Sequence, residues 1–133
     1  MAKTLDDPVF GRMIRGRVGW SGVAAFSTGA GTVAVSVQAA APAEEHRLRF
    51  TYIRARWTAL FESIAEPLVR RVSEIYGIEV RRERIELVGL DIREDARHWS
   101  AQFTYRLDGA DDDYGFFMDW DGDQPVGEVD VVD

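Results

Sequence analysis

The sequence contains no cysteine. That absence excludes a disulfide scaffold, a thiolate zinc site, an iron–sulfur cluster and a cysteine nucleophile. Lysine is almost absent as well: Lys3 is the only one, so nearly all positive charge is arginine. No apolar run approaches the ~18 residues of a membrane-spanning helix. The opening Met1-Ala2-Lys3-Thr4-Leu5-Asp6-Asp7 lacks the apolar centre of a signal peptide. Internal repeats, low-complexity tracts and linkers are missing too. At 133 residues and 46% hydrophobic, the chain is long enough to bury a core without metal or disulfide staples. These features predict a soluble, cytoplasmic protein with one α+β domain spanning residues 1–133, and no cofactor.

Basic residues are absent from one region in particular. Residues 108–133 hold Asp108, Asp111, Asp112, Asp113, Asp119, Asp121, Asp123, Glu128, Asp130 and Asp133, with no lysine or arginine. The other 107 residues carry 13 acids against 16 bases, so the net charge of −7 is a strongly acidic end on a weakly basic body. Such a chain is a poor candidate for nonspecific DNA, RNA or anionic-membrane binding. It is suited instead to a basic partner. The plainer alternative is that acidic hairpin turns keep a small protein soluble.

What is present is hydrophobic periodicity of two kinds. The N-terminal third alternates with period two. Val9–Met13 reads as a short strand, Val18, Trp20, Gly22, Ala24 and Phe26 share one strand face, and Val33, Val35 and Val37 share another. Pro42 then opens a helical region, with Glu44 and Glu45 in its first turn. Phe50, Ile53, Trp57, Leu60, Phe61, Ile64, Leu68, Val72 and Ile75 fall on one helical stripe. An unbroken helix of that length would run about 50 Å, longer than the domain is wide. A break is therefore expected at Pro67, giving a helix pair, or else one kinked helix, closed by Gly77. Strands return over Arg84–Ile92, with Gly89 a candidate bulge, then over Trp99–Leu107, Tyr114–Trp120 and Val126–Val131. The expected architecture is N-terminal antiparallel strands, a central amphipathic helix pair and a C-terminal antiparallel meander.

Motifs of enzymatic chemistry are scarce. His46 and His98 have no cysteine or spaced histidine near them, so a satisfied or exposed histidine is the expected role of each. No serine lies in a Gly-x-Ser-x-Gly elbow. Gly29-Ala30-Gly31 lacks the third glycine and the following helix of a dinucleotide loop. Asp119-Trp120-Asp121-Gly122-Asp123 is the feature most like a metal site, yet Gln124 and Asp130 occupy the positions where a calcium loop has glycine and glutamate. A solvated hairpin tip is favoured over a cation site or a metal-dependent hydrolase. Trp57, Trp20 and Trp99 belong to inward faces. Trp120, at a hairpin end among acids, is instead a candidate anchor for a basic protein, together with Phe117 on the other face of the same strand.

Several stretches resemble one group of small bacterial domains of unknown function. They are the opening Asp7-Pro8-Val9-Phe10-Gly11, the strand Gly19-Trp20-Ser21-Gly22, the helix end Glu74-Ile75-Tyr76, the strand Glu86–Ile92 and the closing hairpin Asp113–Gly122. Tyr114 stands where such domains often carry histidine. Relatives of the group are found alongside bacterial polymorphic-toxin systems, where small acidic proteins act as immunity factors. The resemblance implies an α+β fold and an immunity-like binding role, and it carries over no catalytic residues. The leading expectation is a non-enzymatic protein that binds a basic, toxin-like partner through Asp111, Asp112, Asp113, Phe117, Asp119, Trp120, Asp121 and Asp123. A homodimer formed through a sheet edge or the helical face is the remaining alternative.

Overall fold

Asp7, Pro8 and Gly11 set the first turn. The Asp7 carboxylate accepts the backbone N–H groups of Val9 and Phe10, both at 2.9 Å, while Gly11 takes a left-handed φ of 74°. Residues 8–10 therefore form a turn between β1 (Thr4–Asp7) and β2 (Gly11–Arg15). This corrects the expected strand over Val9–Met13. A proline cannot donate to a strand ladder, and an aspartate beside it folds the chain back through its own side chain. The computed structural model describes residues 3–26, 31–106 and 114–132.

Period-two alternation then builds β3 (Trp20–Phe26) and β4 (Gly31–Val37), with Trp20, Ala24, Phe26, Val33, Val35 and Val37 buried on one face. Gly19 is needed where β3 begins: a Cβ there would overlap the Val37 carbonyl oxygen.

The helical region divides, but not at Pro67. Helix α1 (Glu44–Ala55) meets α2 (Trp57–Tyr76) at Arg56, whose φ of −111° and ψ of 16° leave the helical range. Hydrogen bonds still cross the joint, from Arg56 N–H to the Tyr52 carbonyl and from Leu60 N–H to the Arg56 carbonyl, each 3.0 Å. Pro67 lies within α2 at an exposed position, where water can reach the carbonyl it leaves unbonded. The bend falls where the packing partners change. Phe50 on α1 meets Phe10 and Phe26, whereas Trp57 on α2 meets Phe26, Phe103 and Trp120. Each strand is rotated by roughly 20–25° from its neighbour, so a straight rod could not follow both halves of a wide sheet. Gly77 closes α2 in the left-handed conformation (φ 68°), as its position in the sequence predicts.

Among the described residues, strands β5 (Ile85–Ile92), β6 (His98–Tyr105), β7 (Gly115–Asp121) and β8 (Gln124–Val132) complete a single eight-stranded sheet in the order β1 to β8. The ladder between β5 and β6 slips between Leu87 and Gly89, the bulge expected at that glycine. Every neighbouring pair is antiparallel except β4 and β5, which run parallel with Ala34 opposite Gly89 and Val37 opposite Ile92. The helices cross between them and cover one face, forming a core with the inward residues of the strands, to which β1 adds the partly buried Leu5. The result is an α+β architecture of two antiparallel meanders joined by a parallel seam.

Two buried polar residues fasten α1 to its surroundings. Asp7, 1% exposed in its side chain, accepts the Arg47 guanidinium at 2.8 Å. Burial works against its charge, but the Phe10 N–H, Arg47 and the Val9 N–H outweigh it and hold the carboxyl below the ordinary range. His46 Nδ1 accepts the Ala43 N–H, and the opposite nitrogen donates to the Glu94 carbonyl, both at 2.9 Å. It serves as a capping residue with both ring nitrogens satisfied, the role expected of it.

Candidate functional site

The helices leave the other face of the sheet uncovered by any described element. Side chains that alternate away from the core stand there in rows, because paired residues on neighbouring strands lie ~4.8 Å apart. One row runs Ser36, Asp91, Ser100, Asp119 and Val126 from β4 to β8. The next runs Ala34, Gly89, Gln102, Phe117 and Asp130. On the other side of the first, His98 lies opposite Asp121, and Asp121 opposite Gln124. Asp91 and Asp119 thus flank Ser100, two strands and roughly 10 Å apart.

Asp91 is the least solvated carboxylate of this face. One oxygen accepts the Gln38 amide at 2.6 Å and lies 3.6 Å from the Arg93 guanidinium, while Oδ1 is enclosed with no hydrogen-bond partner among the described residues. Burial raises its pKa above the ordinary value, Asp119 adds to the rise, and Arg93 and Gln38 oppose it. A cavity of about 260 Å³ opens beside it, between Ser36, Gln38 and the Gly16–Gly19 loop.

The turn between β5 and β6 shapes the corner. Ala96 adopts a left-handed φ of 62°, a conformation that costs a non-glycine residue roughly 1 kcal/mol. Asp95 Oδ1 holds the turn by accepting the N–H groups of Arg97 and His98, both at 3.0 Å, and Arg49 from α1 bonds the Ala96 carbonyl at 2.7 Å. The two bonds from His98, backbone and ring, are the main reason the Asp95 carboxyl is lowered to about 2. His98 Nδ1 lies 2.7 Å from Asp95 and Nε2 lies 3.7 Å from Asp121, which also pairs with Arg97. Nδ1 is thus hydrogen-bonded to Asp95, while Nε2 stands near Asp121 without reaching hydrogen-bond distance. Together with Arg93, Asp119 and Val126 these groups line a depression of about 540 Å³.

Of the residues singled out from sequence, Phe117, Asp119 and Asp121 share the uncovered face, and Asp123 is exposed in the adjoining turn. The Phe117 ring lies over Gly115 and is half-buried. Trp120 is the correction. It points to the opposite face, 1% exposed, stacked on Trp99 at a centroid distance of 4.4 Å and packed against Trp57. Adjacent strand residues point to opposite faces, so a tryptophan between two outward aspartates must point inward. It is core and cannot anchor a partner. Asp111, Asp112 and Asp113 lie outside the described residues.

Sequence reasoning did not single out Asp91 and Asp130 as site residues, although the signal was present: each is a carboxylate at an outward position between inward apolar neighbours. Among the described residues no three histidine or acidic side chains converge in a way that could hold a metal ion, and no helix is long and apolar enough to cross a membrane. A scan of protein-family models, a search of curated proteins and a search of solved structures each found no match to this chain.

Proposed function

We propose that this protein is a non-catalytic binding module that takes a basic protein partner on the uncovered face of β5–β8, in the manner of an immunity factor. One observation carries the reading. Asp91, Asp119 and Asp130 stand on one open sheet face around a half-buried aromatic, Phe117, while His46 has both ring nitrogens hydrogen-bonded and His98 lies between the carboxylates of Asp95 and Asp121. Phe117 supplies contact area at the centre, and the carboxylates supply complementarity and association rate.

The test is calorimetry at low and at physiological salt with a basic toxin domain as the titrant. Binding should weaken as salt rises. Reversing Asp119 and Asp130 to lysine should weaken it by ~10-fold or more, since each rim or core charge contributes on the order of a kcal/mol. Unchanged affinity in that variant would refute the proposal.

A further inference from the structure

The two edges of the sheet are unlike. The first, β1, has four residues, whereas β8 has nine, and its only strand partner among the described residues is β7. Pro125, a left-handed Gly127 (φ 77°) and a register shift against β7 that takes in Glu128 and Val129 interrupt β8, and Asp130–Val132 follows as a regular edge. An edge of this kind presents a row of unpaired N–H and C=O groups.

A groove of about 460 Å³ runs beside this edge, between β8 and α2. Pro67 and the buried Met118 and Val129 contribute its apolar part, and Arg70, Glu128 and the Arg71–Glu74 ion pair line the rest. A strand laid against β8 would set alternate side chains over that groove. The others would stand on the uncovered face, beside Asp130 and in line with Phe117.

Charge decides the occupant. A second copy pairing antiparallel about Val129 would set Glu128 against the other copy's Asp130, and like charges across a strand pair are destabilising. An incoming strand with lysine or arginine at its outward positions meets the opposite situation. We infer that β8 receives an extended segment of the partner by strand addition, basic at the positions facing Asp130 and apolar at those over the groove. This rests on the acidic face being the binding surface, and adds that the backbone of β8 holds the partner.

A synthetic peptide of about seven residues alternating arginine and valine is the probe, beside two versions N-methylated at alternate backbone nitrogens. Loss of even one strand hydrogen bond should weaken binding by ~5–10-fold, so at least one methylated version should bind that much less tightly. The plain peptide should also slow hydrogen exchange of the Asp130–Val132 amides in the full chain. Equal binding of all three peptides would overturn strand addition while leaving the acidic face as a binding surface. Slowed exchange on β8 that survives the Asp119→Lys, Asp130→Lys variant would keep strand addition and remove the charge-based reading. No binding by any peptide would overturn the inference, and so would a dimer of the free chain through β8 in sedimentation.

Discussion

The two meanders of the sheet are alike on the inner face and different on the outer one. Beneath the helices, both halves alternate aromatic and branched residues into one core. On the open side, β3 and β4 present Ser21, Val23, Ala25, Thr32, Ala34 and Ser36, none of them ionisable, and the charges of β1 and β2 sit in register as Asp6 opposite Arg12. Strands β5–β8 present Glu86, Asp91, Asp119, Asp121 and Asp130 in the same positions. Arg106 engages Glu86 and Arg97 engages Asp121, leaving Asp119 and Asp130 without an ion-pair partner among the described residues. Folding needs the inner faces of both halves. The outer face of the second half is where composition is released from that need.

Two neighbours on β7 break this comparison most directly. Trp120→Ala removes a buried indole from the stack with Trp99 and should cost about 3–5 kcal/mol in chemical denaturation. Reversal of the adjacent Asp119 to lysine should change stability by less than ~0.5 kcal/mol. Comparable losses in the two variants would show that the open face takes part in the fold. The N-terminal half has its own sensitive point at the other end of α1. Asp7→Ala removes the buried partner of the Arg47 guanidinium and frees two N–H groups of the first turn, for an expected loss of about 2–4 kcal/mol by the same measurement.

Smaller effects sharpen the contrast. Ionised Asp91 is disfavoured by its burial, so the unfavourable contribution is complete above its raised folded pKa and disappears as pH falls below the unfolded value. Asp91→Asn should therefore gain roughly 0.5–1 kcal/mol at neutral pH, with the gain fading in acid. A loss instead would make Asp91 part of the scaffold. Asp95 has the opposite sign. With its folded pKa near 2, its contribution is present above the unfolded value and is lost as pH falls toward 2. Asp95→Asn should cost only a few tenths of a kcal/mol above about pH 5, an exposed site being well screened, and nothing near pH 2. Thermal denaturation across that range checks both.

Periodicity made most of the fold legible. Alternation in Val33, Val35 and Val37, or in Trp99, Ala101, Phe103 and Tyr105, identifies strands and their buried faces, because one buried side dictates the sequence of both. The same stripe that identifies the helices could not locate their joint. Apolar spacing runs unbroken from Phe50 through Trp57 to Leu68, and the bend at Arg56 answers to sheet twist, which no local window contains. The site was half legible. Acid content marked Asp119 and Asp121, which stand on the uncovered face. Attention to the hairpin tip misassigned Trp120, where strict alternation with its neighbours would have placed it inside.

The parallel seam between β4 and β5 has a kinetic consequence. Each antiparallel ladder joins segments adjacent in the chain, so loop closure within either meander is entropically cheap. The seam brings residues 34–37 against residues 89–92 only after α1 and α2 have spanned the distance between them. Its formation therefore belongs late on the folding path, when two partly ordered halves dock through a helical bridge. Mutations at the seam should mainly speed unfolding, and those within a single hairpin should mainly slow folding.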